Sequence, residues 1–234
     1  MPKLTSEKRK EHILEAVLPV FADKGFQGAT TKELAKAAQV SEALIYKHFP
    51  SKEALYEGIQ DHCCTEVQGM AQFLSEQKAS SELFVVSLYF LVKSILKGDL
   101  RDPHKHKILK RMMAHSINED GEFIRHFFQV SLEPWLPYFK KFLIAAKDAG
   151  ETVDDLKVDN LMVWFPHHLC MAINLLTLPE KPIVDYKKSE DELMNQVVLF
   201  SLRGVGLKEN VIKKYNKQKN IEKYILRLTN VSRG

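Results

Sequence analysis

Apolar residues recur along most of this chain at intervals of three and four, the spacing of one helix face, and no stretch shows the two-residue alternation of a strand. From Glu7 to Lys24 they fall at Ile13, Leu14, Val17, Leu18 and Phe21, which predicts a helix stopped by Gly25. Pro19 lies inside that pattern and is expected to bend the helix or leave one carbonyl unpaired. A second helix is predicted from Thr30, a threonine cap with Glu33 in the first turn, and it carries Leu34, Ala35 and Ala38 inward. A third begins at the cap Ser41, is anchored by Ile45 and Phe49, and ends at Pro50. Ser51 caps a fourth, which is expected to run towards the mid-70s.

Beyond residue 76 the pattern predicts helices over about 82–96, 104–117, 120–148, 157–177 and 188–205. Pro134 and Pro137 interrupt the third of these. A last amphipathic helix is predicted over 208–229, with Ile221, Tyr224, Ile225 and Leu228 on one face. The predicted fold class is all-α.

Length and composition narrow the class without deciding the function. A chain of 234 residues with 45% apolar and 27% charged residues suits one large or two modest globular domains. Three cysteines, Cys63, Cys64 and Cys170, include no CxxC pair and argue against a disulfide framework, so a reducing, cytoplasmic setting is expected. No apolar run approaches the 18 or so residues of a membrane span, and no apolar stretch follows the basic start as in a signal peptide. The net charge of +4 is unevenly spread: residues 1–52 carry +3, residues 53–206 carry −5 and residues 207–234 carry +6. A mildly basic first segment is compatible with phosphate contacts.

The segment from Thr30 to Phe49 carries the chemistry. Two short helices joined by a turn of three or four residues and braced by a longer helix make a helix-turn-helix, whose second helix fits the major groove. Glu42, Ala43, Lys47 and His48 fall on the outward side of that second helix, and Ala43 is small where the duplex would come closest. Tyr46, Lys47 and His48 are placed to donate to phosphates, and Lys52 sits at the next helix start.

The run Thr30-Thr31-Lys32-Glu33-Leu34-Ala35-Lys36-Ala37-Ala38-Gln39-Val40-Ser41, continued by Glu42-Ala43-Leu44-Ile45-Tyr46-Lys47-His48-Phe49-Pro50-Ser51-Lys52-Glu53-Ala54-Leu55, closely resembles the signature of TetR-type (tetracycline-repressor-like) regulators. Phe21-Ala22-Asp23-Lys24-Gly25-Phe26 resembles the end of that family's first helix. The resemblance covers residues 6–67; the rest matches only in being helical and of similar length. One position departs: Gln39 stands where the family usually has glycine, which suits a left-handed turn that costs other residues about 1 kcal/mol.

The resemblance implies an N-terminal DNA-binding domain over 6–67 and a larger helical regulatory and dimerisation domain over 68–234. It implies a homodimer on double-stranded operator DNA, with half-sites about one helical turn apart. Carried over by position, Thr31, Lys32, Ser41, Glu42, Ala43, Tyr46, Lys47, His48 and Lys52 are the expected DNA contacts. Dimerisation is expected on the helices over 157–177 and 188–205, with Leu161, Trp164, Leu169, Leu193, Val197 and Phe200 on their inner side. The most economical action is repression, relieved when a small, largely apolar effector binds the C-terminal domain.

Large and aromatic side chains with a few polar groups supply the expected effector site: Met112, His115, Phe128, Trp135, Tyr138, Trp164, His167 and Met171. The alternative is a C-terminal body that binds a protein partner instead. His104 and His106, and His167 with His168, lack the spacing of a closed metal site, so neither metal nor other cofactor is expected. Gly204-Val205-Gly206 lacks the strand and turn of a nucleotide loop, and HExxH, GxSxG and Walker motifs are missing, so no enzyme is expected. Glu119, Asp120 and Glu122 are read as acids complementing a helix start.

Overall fold

The computed structural model describes residues 5–64, 74–98, 103–222 and 224. These form α-helices joined by short turns, with one isolated bridge, Thr152 to Leu207, in place of any strand. The chain divides into two compact units, residues 1–66 with 104–130, and residues 67–103 with 131–234.

In the first unit α1 spans Ser6–Gly28, α2 Thr31–Ala37, α3 Glu42–His48 and α4 Lys52–Cys64; α6 (Pro103–Asn118) and α7 (Glu122–Ser131) complete it. Its core gathers Ile13, Val17 and Phe21 of α1, Leu34 of α2, Ile45 of α3, Leu55 and Ile59 of α4, and Met112 and Phe123. The stripe that predicts α1 is therefore the stripe it buries. Gly25 breaks the helical path, with φ 70° and ψ 178°, and a short continuation to Gly28 follows. Pro19 lies on the solvent side and the helix runs through it. There the carbonyl freed by the missing N–H belongs to exposed Glu15 and can be met by water.

In the second unit α5 (Ser81–Leu96) is central and packs against α8 (Leu136–Asp148), α9 (Leu161–Thr177), α10 (Glu190–Gly204) and α11 (Glu209–Tyr215). It is apolar nearly all round, as a helix enclosed by others must be. The proline-interrupted segment predicted over 120–148 resolves into α7, a short 3₁₀ turn at Glu133–Trp135 and α8, with Pro134 and Pro137 in first-turn positions that need no N–H partner. Helix α9 begins four residues later than its periodicity suggests. The Asp159 carboxylate accepts from the Leu161 N–H (2.8 Å), which starts the helix there. The single helix predicted over 208–229 is also corrected: α11 ends at Tyr215, Asn216 leaves the helical region at ψ 58°, and helix resumes over 218–222. Of its predicted apolar face, Ile225 and Leu228 lie outside the described residues.

Candidate nucleic-acid interface

Local chemistry fixes the geometry of α2 and α3. The Thr30 hydroxyl accepts from the Glu33 N–H while the Glu33 carboxylate accepts from the Thr30 N–H (3.1 Å), a reciprocal cap that satisfies two orphan donors. Glu33 also pairs with Lys24 of α1, and that ammonium together with the Thr30 donors holds the carboxyl down to about 2. Helix α2 then ends in a paired-carbonyl stop: the Val40 N–H reaches the Ala35 carbonyl (3.0 Å) and the Gln39 N–H the Lys36 carbonyl (3.2 Å). That stop needs a left-handed residue, and Gln39 adopts it at φ 54°. The glutamine thus keeps the backbone shape that glycine would give, at the cost of strain.

Ser41 caps α3 by accepting from the Leu44 N–H (3.2 Å). Within α3 only Ile45 is buried, so the helix is held by one anchor and by Phe49 just beyond it. Phe49 in turn packs on Gly58 of α4, where an added Cβ would lie 3.0 Å from its ring.

The expected contact residues differ in exposure. Ser41, Glu42, Ala43, Tyr46 and Lys47 are exposed, His48 is half-buried, and Lys32 of α2 is exposed beside half-buried Thr31. Tyr46 is 45% exposed and its hydroxyl meets the Thr31 hydroxyl at 3.1 Å, which brings the two helices' outward residues together. Lys52, half-buried, lays its ammonium over the Phe26 ring, 4.4 Å from the centroid.

Sequence reading missed what carries this assembly. The Glu119 carboxylate, 92 and 93 residues away along the chain, accepts from the Gln27 and Phe26 N–H groups (3.4 and 3.3 Å). It sits where a side chain at Gly25 would otherwise be, and His115 lies beside it. Glu119 is therefore a partner of α1 and not of a helix start, whereas Asp120 does cap α7 by accepting from the Glu122 N–H (2.9 Å). Tyr56 of α4 meets Phe21, Phe26 and Phe123 at ring distances of 5.0, 5.0 and 5.5 Å, which ties α1, α4 and α7 together.

The eight expected effector residues fall into two groups. Met112, His115 and Phe128 belong to the first unit, where Met112 is fully buried core. Trp135, Tyr138, Trp164, His167 and Met171 belong to the second. There Trp135 stacks on Phe90 (5.5 Å) and Phe139 (6.3 Å), and Trp164 meets His167 (5.6 Å) one turn along α9. Burial, with His168 adjacent, pushes the His167 imidazole down to about 4, so it is neutral at pH 7. Burial likewise pushes the Cys170 thiol up to about 12. The side chains of Cys63 and Cys64 lie outside the described residues. Among the described residues no three histidine, cysteine or acidic side chains are grouped to hold a metal ion. No described helix is long and apolar enough to cross a membrane.

A capped, left-handed turn between two short helices, the second offering hydroxyl, ammonium and small side chains to solvent, is the arrangement of a helix-turn-helix. The family model for bacterial regulatory proteins of the tetR family matches residues 13–59. The chain is 26% identical over 110 residues to the nucleoid occlusion factor SlmA of Haemophilus ducreyi, a match spanning 47% of this chain and about half (53%) of that relative. It is 23% identical to the HTH-type transcriptional regulator YvkB of Bacillus subtilis over 75% of this chain and 91% of the relative. A TetR-family regulator from Rhodococcus sp. shares the fold, with a TM-score of 0.63 at 16% identity over 85% of this chain and 98% of that one. Residues 13–59 thus match the DNA-binding segment of tetR-family regulators, and the described chain shares the fold of a solved TetR-family regulator.

Proposed function

We propose that the protein is a homodimeric repressor that reads operator DNA through α3 and leaves it when a small, largely apolar effector binds the second unit. The observation that carries the DNA reading is the outward set of α2 and α3. Thr31, Lys32, Tyr46, His48 and Lys52 take phosphates, and Ser41, Glu42, Ala43 and Lys47 face base edges. The Thr31–Tyr46 bond supports this assignment, because it orients both hydroxyls on one surface.

The dimer is supported by α9. Its exposed residues Leu161, Phe165, His168, Ala172 and Leu175 are spaced four, three, four and three apart, the rhythm that keeps one seam against a partner helix. Phe165 is 60% exposed and Phe200, on the adjoining α10, 67%. Large apolar side chains left in water at that register call for a second copy of the chain. The buried Trp135 indole N–H, which has no hydrogen-bond partner among the described residues, supports the effector reading: an apolar ligand with one acceptor would complete it.

Selection of bound DNA from a random pool by the full chain tests the reading. The expected product is a two-fold symmetric site with half-sites one helical turn or a multiple apart. A single unrepeated half-site would contradict the dimer, and recovery of no consensus would contradict specific reading. The effector is tested by titrating apolar small molecules into the protein–operator complex. Release accompanied by a change in emission from Trp135 and Trp164, the only two tryptophans, supports the sensor. Release by a protein partner alone would favour the alternative.

A further inference from the structure

The first unit carries a second surface that DNA reading leaves unused. A cleft of about 420 Å³ lies along α4 and the α6–α7 turn, within the size range of small-molecule sites. Its α4 wall presents Glu53, Glu57 and Asp61, each four residues apart and so in one row, with about 6 Å of helix rise between neighbours. Asp120 and Glu122 face in from the other side. Glu53 is held ionised, its carboxyl kept low by its own N–H and the Ser51 hydroxyl. Against these five carboxylates stands one guanidinium, Arg125; His126 is engaged with Asp61, Nε2 to Oδ1 3.3 Å.

Acidic residues in a row need no ligand when they are merely solvated, but the floor of this cleft is built differently. Tyr56 and Gln60 line it while being 8% and 7% exposed. Neither the Tyr56 hydroxyl nor the Gln60 amide has a hydrogen-bond partner among the described residues. A ligand lying in the cleft can pair with either group. Tyr56 also offers an aromatic face, and its neighbour Phe26 already accepts the Lys52 ammonium, so rings here tolerate cations.

The chemistry that meets all of this is extended and positive. A compact divalent metal does not fit, because the acids are strung along a helix and, among the described residues, no three acidic, histidine or cysteine side chains are grouped to hold one. We propose that this cleft binds a linear organic polyammonium ion. Its charged nitrogens lie over the Glu53–Glu57–Asp61 row, at the spacing that three or four methylenes impose, and its stem lies against Tyr56. The amide oxygen of Gln60 takes one N–H. Because α4 follows α3 and carries the Gly58 seat of Phe49, an ion held here bears on the reading helix as well.

The test is isothermal titration of the full-length protein with spermidine in 0.15 M salt, with magnesium chloride and a neutral diol of equal length as controls. One saturable spermidine site per chain is expected, weakened at least tenfold by Glu57→Gln with Asp61→Asn, both exposed positions that leave the core intact. Absence of saturable binding, equal binding of magnesium or the diol, or an unchanged affinity in the double variant would overturn the proposal. In the unaltered protein the Gln60 side-chain amide resonances should move with spermidine and stay still with magnesium. Their failure to move would overturn it without recourse to any variant.

Discussion

Helices α3 and α9 each turn one face to solvent, and the two faces are chemical opposites. The face of α3 is Glu42, Ala43, Tyr46 and Lys47, short or polar groups on a seven-residue helix with one buried anchor. The face of α9 is Leu161, Phe165, Ala172 and Leu175, interrupted by His168, on a seventeen-residue helix. A polar face keeps its hydration until a charged, hydrated partner replaces it, and it gives little free energy without one. An apolar face costs free energy in water, and covering it with a partner recovers about 25 cal/mol for each Å². The first suits an association that must be reversible; the second suits one that persists.

That contrast breaks most sharply at the foot of the reading unit. Gly25→Ala adds a Cβ into the Glu119 carboxylate and forces a side chain onto a residue at φ 70°. The combined cost is about 3 kcal/mol or more, enough to lower the melting temperature by roughly 10 °C. Operator binding should fail while the proposed dimer, through the α9 face, persists in light scattering. Next in size, Phe165→Glu with Phe200→Glu should convert the dimer to monomers, weakening association by about 100-fold or more. Circular dichroism of the double variant should be unchanged, because both rings are exposed in the protomer. If the variant remained dimeric, the α9 face would not be the interface.

Acid should act on the second unit through His167. Its folded pKa of about 4 lies below the ordinary 6.5, so between those values the unfolded chain takes up a proton that the folded one refuses. Stability is therefore full above pH 6.5 and is lost as pH falls towards 4. His167→Leu should flatten that decline in denaturant titrations across the same window. A smaller effect is expected at the Thr31–Tyr46 bond. Tyr46→Phe removes a hydrogen bond of about 1 kcal/mol and should weaken operator binding roughly fivefold with no change in dimer mass. Smallest of all, Gln39→Gly should raise stability by about 1 kcal/mol, or 2–4 °C, since the turn already has the glycine shape. A loss of stability on that change would mean that the Gln39 side chain holds the turn.

Why these features differ in legibility follows from their range in sequence. The Thr30 and Ser41 caps and the stop at Gly25 act within five residues, and each is legible as a residue type at a spacing; the turn at Gln39 is legible only through the family resemblance. The Glu119 link spans more than ninety residues, and nothing local distinguishes it from the acids that precede many helices. Periodicity on α9 revealed a helix but not its free side, because it is apolar nearly all round. Val197, expected at the interface, is buried within the protomer, while Phe165 and Leu175 were overlooked and are exposed. The break at Asn216 escaped notice because the apolar spacing continues across it.

The central claim is that α3 reads DNA with the side chains it exposes. Its most direct test is a gel-shift titration of the selected operator with Tyr46→Ala, Lys47→Ala protein, alongside light scattering of the same sample. Loss of specific binding with an intact dimer is the predicted result. Undiminished binding of the operator by that variant would contradict the claim.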